Sequence, residues 1–107
     1  MAKAQMDKVF GVVKNSFPIF EDNFEQVGTI YACENGAVFK YKDQFIRVPY
    51  EYVRKMEKVS NLALGKVSVI FQVYDQMGTE YNMAVAINDI HYPVLKKMFP
   101  NALPKDK

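Results

Sequence analysis

The chain has 107 residues, of which 50% are hydrophobic and 14% aromatic, and this composition excludes intrinsic disorder of the whole chain. Its fourteen basic and twelve acidic residues are interspersed, with a formal net charge of +2 and a sequence pI of about 8.6. Domains that bind duplex nucleic acid usually have a clustered basic stripe and a pI above about 9. We therefore expect a single domain over residues 1–107 that does not bind nucleic acid.

The compartment is indicated by what the sequence lacks. The single cysteine, Cys33, has no partner for an internal disulfide, which suits a reducing compartment. No N-terminal run has the basic head and apolar stretch of a signal peptide. The longest apolar runs are far shorter than the roughly 20 residues of a membrane helix. These features predict a cytoplasmic protein.

The first predicted element is an N-terminal helix over residues 4–17, which with its lead-in occupies residues 1–25. Its apolar positions follow the helical spacing i, i+3, i+4, i+7 and i+11: Met6, Val9, Phe10, Val13 and Phe17. Pro18 ends this predicted helix, because the residue before a proline is pushed away from helical backbone angles.

Short β-strands follow the predicted helix. Residues 27–34 and 37–42 are rich in aromatic and β-branched residues, and Asn35-Gly36 between them predicts a hairpin with a type I′ turn. A second tight connection at Asp43-Gln44 leads into residues 45–48. Pro49 then breaks the ladder. The imperfect alternation after it indicates an edge strand, a bulge, or a half-turn before a strand that begins near Val53.

The last third of the chain predicts a hairpin and a helix. Residues 67–74 and 79–87 alternate in polarity around a turn at residues 75–78 that ends in Gly78. The period then changes, which predicts a helix over residues 91–99 with Lys96 and Lys97 on its solvated face. Its apolar face contains Ile90, Val94, Leu95 and Met98. Residues 100–107 are predicted to be a frayed tail.

This order predicts an α+β fold: a partly open antiparallel barrel of six or seven strands with a C-terminal capping helix. Over residues 26–99 the layout resembles the pleckstrin-homology-like superfold, including its GRAM variants. Residues 45–53, Phe-Ile-Arg-Val-Pro-Tyr-Glu-Tyr-Val, are similar to that family's strand, proline-aromatic-acidic corner and second strand. The resemblance implies a function in lipid binding, peptide binding or self-assembly. The alternative fold is an α+β roll in which the N-terminal helix packs centrally on an antiparallel sheet.

A basic patch is the first candidate binding site. Lys40, Lys42 and Arg47 lie on two neighbouring predicted strands, where they can hold a phosphate or a carboxylate, or form a solvated outer face. Members of the family that bind phosphoinositides carry basic residues around the first hairpin, whereas this chain has Glu34 at the rim of that turn. A small anionic ligand is therefore an alternative to a protein partner, and a membrane surface is not predicted.

The strand edge between Tyr50 and Ser60 is the second candidate site. An open edge accepts an added strand from a peptide or from a second copy of the chain. We expect apolar anchors along it and in the loop that follows: Tyr50, Tyr52, Met56, Leu62 and Leu64. The five charged residues of the same run are equally suited to prevent such pairing.

Catalytic chemistry has little support in the sequence. His91 and Cys33 are the only histidine and cysteine, and no spacing indicates a thiol–imidazole pair or a metal site. Gly-rich phosphate loops and nucleophile elbows are absent. We predict a non-enzymatic binding module without cofactor or metal, which associates with a protein partner or with itself; an enzyme of unrecognised type is the least favoured alternative.

Overall fold

The computed structural model describes residues 6–21 and 24–103, which form eight β-strands and one α-helix. The strands are β1 Met6–Asp7, β2 Gly11–Phe20, β3 Gln26–Cys33, β4 Ala37–Tyr41, β5 Gln44–Val48, β6 Val53–Asn61, β7 Lys66–Tyr74 and β8 Glu80–Asn88, and the helix is α1 Tyr92–Met98. Single turns of 3₁₀ helix precede β6 at Tyr50–Tyr52 and α1 at Asp89–His91.

The described strands form one open sheet in the order β5-β4-β3-β2-β8-β7-β6, with β1 added to β2. Every pairing between these strands is antiparallel. Strands β2 and β8 pair only through Phe20 and Ala86, so the sheet has two halves, β2–β5 and β6–β8. The prediction of an antiparallel sheet followed by a C-terminal helix is confirmed.

The core lies between the two halves of the sheet. Phe39 on β4 and Phe71 on β7 are fully buried, and their rings meet edge to face at 5.5 Å between centroids. Three strands separate β4 from β7 in the sheet order, so this contact requires the sheet to bend until its two inner faces meet. Phe99, just after α1, stacks on Phe39 at 6.3 Å, and Leu95 on the helix is fully buried beside it. The helix therefore covers one opening of the core.

The predicted N-terminal helix is wrong, because residues 11–20 form strand β2 and Met6–Asp7 form β1. Gly11 has a φ of +89°, which no right-handed helix contains, and buried Phe17 and Ile19 follow the two-residue period of a strand. Residues 4 and 5 of the predicted helix lie outside the described residues. The alternative roll required this helix at its centre, so it is also excluded.

Pro18 lies inside β2, opposite Thr29 of β3, rather than at the end of a helix. A proline lacks the N–H that a strand donates, so it is normally confined to edges. Because β2 meets β8 only at Phe20, most of β2 has no strand on that side among the described residues. The sheet therefore tolerates a proline at this position.

The hairpin at Asn35-Gly36 is confirmed, but its predicted type I′ turn is wrong because neither residue has a positive φ. The turn instead accommodates Phe10, whose carbonyl accepts a hydrogen bond from the Asn35 N–H at 3.1 Å. A Cβ at position 36 would lie 2.8 Å from the Phe10 ring. Glycine is needed there for close approach and not for its backbone angles.

The half-turn, the edge strand and the strand irregularity predicted after Pro49 are all present. Tyr50–Tyr52 form a half-turn, β6 begins at Val53, and β6 is an edge of the sheet. Its pairing with β7 shifts register twice, between Val53 and Lys55 and between Lys58 and Ser60. Such irregularities limit further strand pairing along an edge.

The hairpin of β7 and β8 is confirmed, whereas the predicted faces of the last helix are wrong in part. Ile90 and Val94 are 71% and 45% exposed, while Lys96 is buried. The Lys96 ammonium group donates a hydrogen bond to the Met56 carbonyl at 2.8 Å. Leu95 and Phe99 face the core, and this orientation points Lys96 toward β6, where its alkyl chain is covered and its charged end meets a carbonyl.

The contact between Phe39 and Phe71 can be tested by truncation. Phe39→Ala leaves a cavity where the two halves of the sheet meet, and we expect the free energy of unfolding to fall by about 3–5 kcal/mol. Phe45→Ala, at an exposed aromatic of the neighbouring strand, should cost less than about 1 kcal/mol. Urea denaturation measures both, and equal losses would contradict the bent sheet.

Candidate functional site

The predicted partner edge, β6, is already paired over part of its length with the C-terminal segment of the same chain. The Leu103 N–H donates to the Arg54 carbonyl at 3.0 Å, and the Met56 N–H donates to the Leu103 carbonyl at 2.9 Å. Together these bonds form a parallel bridge between Lys55 and Leu103. Within the described residues, the part of the edge without such a cover is 57–61.

Two of the predicted anchors are not available to a partner. Met56 has no exposed surface and belongs to the main core. Tyr50 is half-buried, packs on Phe99 at 6.2 Å, and its hydroxyl donates to the Cys33 carbonyl. Burial raises the pKa of Tyr50, so the hydroxyl stays protonated and keeps that bond at neutral pH. Both side chains therefore stabilise the fold.

The remaining anchors differ in exposure. Tyr52 is 44% exposed and Leu64 is 77% exposed, whereas Leu62 is half-buried. The Leu62 N–H donates to the Lys66 carbonyl at 2.8 Å and closes the loop that carries Leu64. Val59, which the sequence reading did not single out, is 56% exposed on the open part of β6. Val59 and Leu64 are thus exposed aliphatic side chains beside the open part of this edge, while Leu103, 53% exposed, lies on the covered part.

A groove of about 450 Å³, here called the edge groove, lies at the covered part of β6. Its lining residues are Tyr52, Arg54, Gln72, Tyr74 and Leu103. Next to it, the Glu80 carboxylate accepts hydrogen bonds from Asn82, Gln72 and Tyr74 at 2.8–3.1 Å. These bonds, the one from Asn82 foremost, lower the pKa of Glu80, so the groove combines a fixed anion with the exposed Arg54 cation.

The three predicted basic residues have three different partners, although Lys40 and Arg47 lie on the same face of β4 and β5. Lys42 lies in the loop after β4 with a φ of +55°, and its ammonium group is 3.8 Å from the Glu21 carboxylate. The Lys40 ammonium group lies over the Phe45 ring, 5.9 Å from its centroid. Arg47 lines a groove together with Phe45. The patch expected from the sequence is therefore divided among separate partners.

Arg47 forms a forked ion pair with Asp7. Its Nε lies 3.0 and 3.1 Å from the two carboxylate oxygens, and Nη2 lies 2.9 Å from one of them. The same carboxylate accepts the N–H groups of Val9 and Phe10 at 3.0 and 2.9 Å. Burial alone would raise the pKa of Asp7, but the hydrogen bonds from Arg47, Phe10 and Val9 outweigh it and lower that pKa. The ion pair fixes the N-terminal segment to β5.

A second groove, here called the outer groove, lies between this N-terminal segment and the outer face of β2–β5. Its volume is about 410 Å³. Its apolar lining residues are Met6, Val13, Tyr31, Val38 and Phe45, and its polar ones are Asp7, Lys8 and Arg47. Below it, Phe10, Cys33 and Val38 form a small buried cluster separate from the main core. The outer groove therefore has a firm apolar floor and a charged rim.

Cys33 and His91 lie in different clusters. Cys33 is buried with Phe10 and Val38, and burial raises the pKa of its thiol. His91 packs edge-on against Phe17 at 5.1 Å, on the side of the main core. The described residues contain no group of three or more side chains suited to hold a metal ion. Among them, too, no helix has the length and apolar character needed to cross a bilayer.

Comparison with protein families, curated proteins and solved structures finds no match to this chain.

Two residues that the sequence reading missed organise these sites. Asp7 carried a local signal, because an aspartate often accepts N–H groups two and three residues later in a turn. Leu103 carried none, since its bridge to β6 depends on where α1 docks. Its partners are separated from it by almost half the chain, beyond the reach of local patterns.

The pairing of Leu103 with β6 can be weakened by removing a single main-chain N–H group, that of Leu103. Leu103→Pro deletes the N–H donated to Arg54, and we expect a loss of about 1 kcal/mol in the free energy of unfolding and faster amide exchange at Met56. Leu103→Ala keeps both main-chain bonds and should leave that exchange unchanged. Hydrogen exchange followed by NMR reads both variants; an unaltered Met56 rate in the proline variant would refute the bridge.

The ion pair predicts a pH dependence with a definite sign. Asp7→Asn keeps an oxygen for the N–H groups of Val9 and Phe10 but loses the charge, and we expect a cost of about 1 kcal/mol at pH 7. Because the folded-state pKa of Asp7 is lowered, its stabilisation is present above the ordinary value of 3.8 and is lost as pH falls through the folded-state pKa.

Urea midpoints at several pH values should therefore show the two proteins converging in strong acid. Glu21→Gln, which removes the exposed pair with Lys42, is the matched control and should change stability little at any pH. A gap between parent and Asp7→Asn that persists in strong acid would contradict this assignment.

Proposed function

We propose that the protein is a non-enzymatic protein-interaction module that associates through the open part of β6, with a second copy of the chain as its partner. The observation that carries this proposal is the division of the edge. Leu103 covers the stretch from Arg54 to Met56, while residues 57–61 pair with β7 on one side and have no described strand on the other.

An uncovered edge supplies main-chain donors and acceptors to an added strand, so affinity does not require a deep cavity. Exposed apolar side chains beside the edge then provide most of the interface energy. Val59 on β6 and Leu64 in the following loop, 56% and 77% exposed, are suited to that role. They take the place of the predicted anchor Met56, which is buried.

The charged side chains of β6 permit pairing with the same edge of a second copy of the chain. Antiparallel pairing about a two-fold axis at Val59 places Glu57 opposite Asn61 and Lys58 opposite Ser60, so no like charges face each other. Pairing centred on Lys58 would instead place two lysines opposite one another. The irregular pairing between Lys58 and Ser60 keeps the interface short, so we expect weak, concentration-dependent association.

The same proposal includes the finer fold assignment, a pleckstrin-homology-like barrel. The bend that brings Phe39 onto Phe71 supports it, as does the C-terminal helix that packs Leu95 and Phe99 into the opening. The 3₁₀ turn after Pro49 lies where the resemblance expects a corner between two strands. Self-assembly and peptide binding are among the functions that the resemblance implies.

Sedimentation velocity over a wide concentration range tests the association. The parent protein should show a monomer–dimer equilibrium, and the double variant Val59→Lys, Leu64→Lys should weaken it at least about tenfold, since an apolar hot spot is replaced by charge. The control is Val94→Lys, Met77→Lys, which adds the same charge at exposed apolar positions on α1 and in the turn between β7 and β8. It should associate like the parent.

Two outcomes would overturn the proposal. A parent protein that stays monomeric at every accessible concentration removes self-association. A dimer that is equally weakened by both double variants would place the interface elsewhere or reduce it to a general charge effect. A Met56 variant is not a suitable test, because that side chain lies in the core and its replacement measures stability.

A further inference from the structure

The outer groove is independent of the β6 edge and has a different character. Met6 and Phe45, which both line it, are 73% and 58% exposed, while the lining residue Val38 is buried. The groove has a volume of about 410 Å³. A groove of this size lined by large apolar side chains is typical of a binding site for a small molecule.

The groove also offers hydrogen-bond donors for an anion. A guanidinium group has five N–H donors, and Asp7 accepts from the Nε and Nη2 atoms of Arg47. The Nη1 donors have no protein partner among the described residues. Lys8, on the same rim, is exposed and forms no ion pair within the described part of the chain. Two cationic groups therefore face the groove with donors to spare.

The charged side chains around the outer groove favour an anionic ligand. Arg47, Lys8 and the nearby Lys40, which lies over the Phe45 ring, outnumber the single carboxylate of Asp7. Asp7 is already held by two main-chain N–H groups as well as by Arg47, so a ligand uses the remaining donors without displacing it. The groove is thus cationic at one side and apolar along its floor.

We infer that the outer groove binds a single-chain amphipathic carboxylate of the medium-chain fatty acid class. The carboxylate accepts hydrogen bonds from Arg47 and Lys8, and the alkyl chain lies along Val38, Phe45 and Met6. Burial of the chain supplies most of the affinity, and the charge-assisted bonds orient the head group. This inference does not rest on self-association, because it uses the opposite half of the sheet.

Isothermal titration calorimetry with dodecanoate, kept below its micelle concentration, tests the inference together with amide NMR shifts. We expect one site per chain, with shifts concentrated at residues that line the outer groove. Butyrate has the head group without the chain, and dodecyltrimethylammonium has the chain with the opposite charge. Both should bind at least about tenfold more weakly if the groove requires chain and carboxylate together.

Substitutions of exposed residues, which leave the fold intact, identify the side chains that contact dodecanoate. Phe45→Ser removes an exposed apolar wall and should weaken dodecanoate binding about tenfold, and Lys8→Gln should weaken it about threefold, as expected for a rim charge. Lys97→Gln, an exposed lysine on α1, should leave binding unchanged. Arg47 is left intact, because its loss would also release the N-terminal segment from β5.

The remaining outcomes overturn the inference. Absence of dodecanoate binding at millimolar concentration removes it, and equal binding of the cationic amphiphile reduces it to unspecific apolar adsorption. Shifts confined to the edge groove would move the site to the other half of the sheet. Sedimentation with vesicles of anionic phospholipid that dodecanoate fails to compete would indicate a membrane surface instead of a single-chain ligand.

Discussion

The contact between Phe39 and Phe71 is the constraint on which the rest of the structure depends. These rings lie on strands that are not neighbours, so they meet only if the sheet bends and closes its two inner faces over one core. The bend becomes possible because β2 and β8 share a single pairing, at Phe20 and Ala86. A continuous flat sheet of the same strands would leave one face of apolar side chains in water, at a cost that a domain of this size cannot offset.

The bent sheet has an outer face on β2–β5 and an edge at β6, and a segment from each end of the described chain covers part of one of them. The N-terminal segment covers the outer face of β2–β5, where Phe10 packs over Cys33 and Asp7 pairs with Arg47. The segment after α1 covers part of the β6 edge through Leu103. Within the described residues each cover is partial: the outer groove lies beside the first, and residues 57–61 of β6 stay open beside the second. Within the described residues, both candidate sites therefore lie beside a segment that covers part of the sheet.

The sequence predicts the regular part of this fold because strand alternation is a local property. Val67, Val69, Phe71 and Val73 are buried at every second position, and that period identifies β7 without knowledge of its neighbours. The same reasoning gives a wrong prediction for the N-terminal segment, because its apolar residues fit a helical spacing by coincidence although they form strands. Its real determinants are Gly11 with a positive φ and the contact of Phe10 with the turn at Gly36, which is distant in sequence.

The candidate sites were harder to predict than the strands, for a related reason. Whether Met56 faces the core or a partner depends on the register of β6 against β7, and that strand has two irregularities that interrupt its alternation. Arg47 was recognised as a cation, but its partner Asp7 lies 40 residues earlier in the chain. Local patterns identify the type of a side chain, whereas the fold decides which opposite charge reaches it.

The two proposed surfaces differ in the interaction that dominates each of them. Addition of a strand to β6 uses neutral main-chain hydrogen bonds and two aliphatic anchors, so its strength depends little on ionic strength. A carboxylate at Arg47 and Lys8 is attracted across partly exposed charges, which salt screens. The surfaces also lie on different halves of the sheet, joined at Phe20 and Ala86 and through a rigid core. We therefore expect that occupation of one proposed surface leaves the other unchanged.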